Sequence, residues 1–226
     1  MILILFFINE FVLSKGGGLL DGALAVCDVS GSMAGVPMNA AIGLTILVMS
    51  LCEEPWNSLC ITFSEDPEFH FVDPKKTFLE KLRSIKDMKW GCSTNFNKVF
   101  DLILSKATEQ RLTAQQMPKL LLVFTDMEFD SAFPDTTLTN FEAAKLQFES
   151  SGYKLPPIIF WNLRSNTSLT TTPVQTNECG AALMAGYSGQ QLAIILEEKD
   201  LEKMTAFSLM RSAIDNNRYS KLEIVD

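Results

Sequence analysis

The sequence lacks the features that mark several common protein classes. Its five cysteines form an odd set without C-x-x-C spacing, which disfavours a disulfide framework or a structural zinc site and favours a reducing compartment. It has no dense Lys or Arg run, and its net charge is -8, so nucleic acid is disfavoured as the main ligand. The single histidine, His70, has no nucleophile or orienting acid that the sequence pairs with it, which disfavours a hydrolase triad.

Long hydrophobic runs are also missing. Met1 to Leu13 is strongly apolar, but Asn9 and Glu10 interrupt it, and it lacks the basic start and cleavage site of a signal peptide. The run is shorter than the roughly 20 residues that a membrane-spanning helix needs. We therefore expect no membrane span and a cytoplasmic location, and we interpret this segment as an apolar leader that packs against another part of a longer protein.

The composition favours one globular domain. The chain is 47% apolar and 20% charged, which is ordinary for a domain with one sizeable core. Three parts are expected: an apolar leader with a glycine-rich linker (residues 1–20), the domain itself (residues 21–218) and a C-terminal tail (residues 219–226). The sequence does not predict the oligomeric state.

Apolar runs that alternate with helical patterns predict the fold. Ala23 to Asp28 reads as a buried strand that ends in an acid, and Leu120 to Thr125 reads as a buried strand that ends at Asp126. A weaker strand is predicted from Ala181 to Ala185. Helices are predicted from Phe141 to Ser150 and near residues 190–197 and 201–216. Leu59 to Phe63 and Glu68 to Val72 are separated by a gap too short for a parallel crossover, so they predict an antiparallel hairpin. We expect a three-layer, doubly wound α/β fold, with a mostly parallel sheet and one antiparallel edge strand.

A cluster of oxygen donors follows the first predicted strand. Asp28, Ser30 and Ser32 place a carboxylate and two hydroxyls within five positions. These are hard donors of the kind that Mg²⁺ and Mn²⁺ prefer over Zn²⁺ or copper. We expect Gly31 to allow the tight backbone curl that directs both serines to one point.

The segment D-V-S-G-S-M resembles the D-x-S-x-S signature of the metal-ion-dependent adhesion site in von Willebrand factor A domains. That family completes its site with a threonine from a second loop and an aspartate from a third. Thr94, in the loop G-C-S-T-N, and Asp126, after L-L-V-F-T, match those positions. The resemblance therefore implies one Mg²⁺ or Mn²⁺ ion held by Asp28, Ser30, Ser32, Thr94 and Asp126.

The segments AVCDVSGSM, WGCSTNFNKVFDLIL and FTDMEFD are similar to an uncharacterised family of plant and giant-virus proteins with a C-terminal von Willebrand A-like domain. That domain is similar to the one in the Ro ribonucleoprotein autoantigen. The resemblance covers roughly Ala23 to Leu196. Ro-like proteins carry RNA on a helical ring, and about twenty residues precede the first strand here, so RNA is not expected for this fragment.

These observations favour a non-enzymatic, metal-dependent protein-binding module, in which the cation recruits an Asp or Glu carboxylate of a partner. One alternative is a Mg²⁺-dependent phosphohydrolase that uses the same oxygens to activate water. Another is a truncated remnant of a larger ribonucleoprotein-type protein. A purely structural interpretation also exists, in which Ser30, Ser32 and Thr94 serve as turn and helix-capping residues.

Overall fold

The computed structural model describes residues 22–62, 66–88, 96–126, 136–164, 181–186 and 211. Its strands are β1 (Ala23–Cys27), β2 (Leu59–Thr62), β3 (Phe69–Phe71), β4 (Leu120–Thr125), β5 (Ile158–Asn162) and β6 (Ala181–Ala185). They form one six-stranded sheet in the order β3-β2-β1-β4-β5-β6. Every neighbouring pair is parallel except β2 and β3, which confirms the predicted sheet and its antiparallel edge strand.

Helices cover both faces of this sheet. They are α1 (Val36–Leu51), α2 (Phe78–Lys86), α3 (Phe96–Glu109) and α4 (Thr136–Ser150). Residues of α1 and α2 belong to one buried cluster, and residues of α3 and α4 belong to another, so the two helix pairs lie on opposite faces. The predicted three-layer arrangement is confirmed.

The central strands are apolar because both of their faces are covered. In β1, Ala25 and Cys27 pack towards α1 and α2, whereas Leu24 and Val26 pack towards α3 and α4. Successive side chains of a strand point to opposite faces, so a strand covered on both sides has no position for a polar side chain along its length. Polar groups of these strands are therefore displaced to their ends.

Further sequence predictions, of helix bounds and buried cysteines, can be compared with the structure. Helix α4 begins at Thr136 rather than at Phe141, where its apolar periodicity begins. Cys27, Cys52 and Cys60 lie in apolar segments of the sequence, which predicts that they are buried, and the structure confirms this. The helices predicted near residues 190–197 and 201–216 lie outside the described residues, apart from Arg211. No helix among the described residues is long and apolar enough to cross a membrane.

The order of the strands positions a candidate site. β1 lies between β2 and β4, so the chain winds outward in one direction from β1 and later in the other direction from β4. Ligand sites of open α/β sheets lie at the carboxyl ends of strands where the winding reverses. In this sheet, that point is the shared rim of β1 and β4.

Candidate metal centre

Two buried carboxylates meet at the rim of β1 and β4. Asp28 follows β1 and Asp126 follows β4, and the pairing of Cys27 with Phe124 places the two strand ends side by side, with β4 one residue longer. The Asp28 backbone N–H also donates to the Phe124 carbonyl at 3.0 Å. Asp28 is 2% exposed and Asp126 is 5% exposed. Carboxylates so far removed from water require compensating hydrogen bonds or positive charge.

Hydrogen bonds hold the Asp28 carboxylate in a fixed orientation. Its Oδ1 atom accepts the Ser30 backbone N–H at 2.9 Å, and its Oδ2 atom accepts the Thr125 hydroxyl at 2.8 Å. Burial raises the pKa of Asp28; the hydrogen bonds from Ser30 and Thr125 oppose that rise, and the negative charge of Asp126 adds to it. A cation at this rim would favour the ionised form of Asp28.

The two serines of the signature lie together at the surface of the same rim. The Ser30 and Ser32 hydroxyl oxygens are 2.9 Å apart, and both residues are partly exposed. Ser30 is the N-cap of the 3-10 turn Gly31–Met33, yet its side chain makes no capping hydrogen bond, and the N-cap of α1 is Gly35. Helix capping therefore does not explain either serine.

Glycine is required three positions after the D-x-S-x-S signature rather than within it. The left-handed backbone conformation occurs at Gly35, where φ is 95°. Gly31, to which the sequence assigned the curl, does not adopt a positive φ, and a Cβ there would meet no atom within 4 Å. The curl that brings the two serine hydroxyls together therefore does not depend on a glycine at position 31, and the reversal that starts α1 is made by Gly35.

An arginine that the sequence analysis did not identify contacts the site. The Arg164 Nη1 atom is 3.3 Å from Asp126 Oδ2. The backbone N–H of Leu163 donates to the Thr125 carbonyl at 2.9 Å, which carries the chain after β5 alongside the end of β4. Arg164 and Thr125 were missed because their contacts follow from strand register, which a sequence does not display.

The structure brings four of the five predicted ligands to one rim. Asp28 contacts Ser30, Ser30 contacts Ser32, and Asp126 directly follows Thr125, the residue that bonds to Asp28. Thr94, the fifth predicted ligand, lies outside the described residues.

The donor set fits the group that it was predicted to hold. Two carboxylates and two hydroxyls are hard oxygen donors, which suit Mg²⁺ or Mn²⁺. Within the described ranges, no group of three or more His, Cys, Asp or Glu side chains could hold a metal, so a zinc-type cluster is not found there. His70 lies away from the rim of β1 and β4, because it is on β3, which β2 separates from β1. Its Nε2 atom is 3.3 Å from Ser84 Oγ.

A solved structure with a von Willebrand A-type fold is similar to this chain. The chain resembles the Ro (RSR) protein of Deinococcus radiodurans with a TM-score of 0.52 and 20% identity, over 79% of this chain and 34% of that one. It also matches proximal thread matrix protein 1 of the mussel byssus (TM-score 0.45, 12% identity, 79% of this chain and 47% of that one). Manganese-loaded TRAP of Plasmodium vivax matches with a TM-score of 0.43 and 12% identity, over 80% and 73% of the chains. The Ro match confirms the predicted fold and shows nothing beyond it.

Sequence comparison adds a viral relative and a family. Uncharacterized protein L728 of Acanthamoeba polyphaga mimivirus is 35% identical over 188 residues, which are 83% of this chain and 32% of the viral protein. The chain thus spans about a third of the length of that relative. The model of the family described as "Domain of unknown function (DUF7788)" matches residues 22–223. The chain therefore belongs to the DUF7788 family and carries a von Willebrand A-like fold.

Proposed function

We propose that the domain is a non-enzymatic protein-binding module in which one divalent cation, Mg²⁺ or Mn²⁺, recruits a partner carboxylate. The cation is held by Asp28, Ser30, Ser32, Thr94 and Asp126. The observation that carries the proposal is that two buried carboxylates and two adjacent serine hydroxyls lie at the rim where the sheet reverses its winding. An Asp or Glu side chain of the partner completes the coordination.

The contacts of Asp28 support a division of labour among the donors. Each of its oxygens accepts one hydrogen bond, from Ser30 or from Thr125, and keeps further acceptor capacity, so Asp28 is held in a position to accept a hydrogen bond from a metal-bound water. Ser30 and Ser32 present neutral hydroxyls at the partly exposed surface, where direct ligation is open to them. Neutral direct ligands leave the cation much of its positive charge, which is the property that attracts an anionic partner group.

Metal binding is tested by thermal melting of the full chain with a chelator and with Mg²⁺. A cation at 100 times its dissociation constant should stabilise the native state by about 2.7 kcal/mol. The double variant Ser30→Ala/Ser32→Ala should lose this gain. Ser105→Ala, which removes a hydroxyl from an exposed position of α3, is the matched control and should keep it. Equal melting of the wild type with and without Mg²⁺ would contradict the proposal.

Partner recognition is tested with a displayed library of random peptides. Peptides captured in Mg²⁺ and released by a chelator should share an Asp or Glu, because an acidic oxygen fills the open position of the cation. Replacing that acid by Asn or Gln in an enriched peptide should abolish its binding. Enrichment of peptides without a common acid, or capture that a chelator does not reverse, would count against carboxylate recruitment.

A further inference from the structure

The candidate site contains a positively charged side chain, that of Arg164. The Asp126 side chain is 1% exposed, and its Oδ2 atom faces the Arg164 guanidinium at 3.3 Å. A carboxylate this deeply buried is strongly destabilised without a positive neighbour. Arg164 thus supplies, from the segment after β5, a positive charge beside Asp126 in the metal-free protein.

We infer that Arg164 and the divalent cation compete for Asp126, so that Arg164 sets the metal affinity of the site. The inference rests on the function proposed above. Asp126 is both a proposed ligand and the acceptor of the guanidinium. A cation drawn to this carboxylate meets a positive charge already beside it, and like charges a few ångströms apart near a protein surface repel strongly.

The attachment of Arg164 allows its guanidinium to move while its backbone stays in place. The Arg164 backbone N–H donates to Asn162 Oδ1 at 2.8 Å, and the preceding residue, Leu163, is bonded to Thr125. The Arg164 side chain is 34% exposed and is long and unbranched. It can therefore turn towards water when the metal binds, without rearrangement of the strand ends.

Competition would couple metal binding to partner binding through charge. With both carboxylates ionised, the group formed by Asp28, Asp126 and Arg164 carries a net negative charge, which repels an acidic partner. A doubly charged cation makes the same group net positive, with the displaced guanidinium still at the rim. The rim would then attract a carboxylate when it holds metal and repel it when it does not.

The test is a calorimetric Mg²⁺ titration of the wild type and of three variants. Arg164→Gln removes the charge and should bind Mg²⁺ about tenfold more tightly. Arg164→Lys keeps the charge and should bind with an affinity close to that of the wild type. Arg83→Gln, at an exposed position of α2, is the matched control and should leave the affinity unchanged. In chelator, Arg164→Gln should melt at a lower temperature than the wild type, since Asp126 loses its counter-charge.

Unchanged or weakened Mg²⁺ binding by Arg164→Gln would overturn the competition. If the wild type binds no Mg²⁺ but Arg164→Gln does, the competition stands and is stronger than expected. If neither binds, both the competition and the proposed metal site are wrong. A readout on the unmodified chain covers the case in which Arg164→Gln does not fold: the side-chain Nε–H resonance of Arg164, assigned by its loss in Arg164→Lys, should shift on Mg²⁺ addition. An unmoved resonance in a protein that binds Mg²⁺ would also overturn the inference.

Discussion

Two turns that carry hydroxyl side chains are used in different ways. Thr77, before α2, accepts the Glu80 backbone N–H at 3.4 Å, while Glu80 Oε2 accepts the Thr77 backbone N–H at 2.8 Å. This is a capping box, and the sequence T-F-L-E matches its pattern. Ser30 also precedes a helical turn but caps nothing with its side chain, and its hydroxyl lies 2.9 Å from that of Ser32. The same chemistry stabilises a helix in one turn and faces a candidate ligand site in the other.

The acidic residues of the two turns, Glu80 and Asp28, have pKa values that are shifted in opposite directions. Hydrogen bonds from Thr77 lower the pKa of Glu80, which is fully exposed. Burial raises the pKa of Asp28. Glu80 is thus satisfied as an anion by its own helix, whereas an ionised Asp28 is penalised by its surroundings and would gain from a cation. The turn at Thr77 is therefore structural, whereas the turn that follows Asp28 is a candidate functional one.

The largest expected effect is the loss of metal-dependent stabilisation in Asp28→Ala. The wild type should gain about 2.7 kcal/mol at 100 times the Mg²⁺ dissociation constant, and Asp28→Ala should gain nothing. Thr77→Ala should keep the whole gain, because the capping box lies outside the proposed site. Differential scanning calorimetry of the three chains in chelator and in Mg²⁺ measures the difference. A gain that survives in Asp28→Ala would remove Asp28 from the site.

Without metal, substitutions in the two turns should change the free energy of unfolding by different amounts, and this effect is smaller. Thr77→Ala should lower the free energy of unfolding by about 1 kcal/mol, because it removes a helix cap. Ser32→Ala should change it by less than about 0.5 kcal/mol, since Ser32 caps no helix. Urea denaturation in chelator measures both. A loss in Ser32→Ala as large as that in Thr77→Ala would mean that the serine turn is structural as well.

Acid titration should reveal opposite slopes for the two acids. The raised pKa of Asp28 means that the folded state holds its proton more tightly, so the metal-free protein should lose stability as the pH rises from about 4 through that raised pKa. Glu80, with its lowered pKa, contributes stability above its unfolded pKa that is lost as the pH falls through its folded pKa. Chemical unfolding across this pH range tests both slopes: Asp28→Asn should remove the first loss, and Glu80→Gln should remove the second. Persistence of the first loss in Asp28→Asn would assign it to another group.

The smallest expected effect is an absence of turnover. A panel of phosphate esters with Mg²⁺ should show hydrolysis no faster than in the Asp126→Asn variant, because the proposed cation serves to bind a carboxylate. Hydrolysis in the wild type that disappears with Asp28→Asn or Asp126→Asn would instead favour the metal-assisted phosphohydrolase.

The sheet was predictable because its central strands β1 and β4 are almost entirely apolar and its hairpin connection is short. β4 and β6 were predicted with their observed bounds. The start of α4 was missed because its first residues, T-T-L-T-N, show no apolar periodicity. Apolar patterns report which face of an element is buried, so a polar helix end gives no such signal.

In the candidate site, the sequence predicted the residues that are close together in the chain or that match the family signature, but not the contacts between separate strands. Asp28, Ser30 and Ser32 are close in sequence, and the family resemblance supplied Thr94 and Asp126. The hydrogen bond from Thr125 to Asp28 and the ion pair from Arg164 to Asp126 join separate strands. Contacts of this kind depend on the register between parallel strands, which no local pattern in the sequence specifies.

The most direct measurement is the anomalous scattering of Mn²⁺ in crystals of this chain. We expect one strong peak at the rim of β1 and β4, with the Ser30 and Ser32 hydroxyl oxygens about 2.1 to 2.2 Å from the ion, as is usual for small hard cations with oxygen ligands. The electron-density map of the same crystals should show Thr94 among the ligands and the Arg164 guanidinium turned away from Asp126. The absence of an anomalous peak at this rim at saturating Mn²⁺, or an ion bound elsewhere on the molecule instead, would contradict the account.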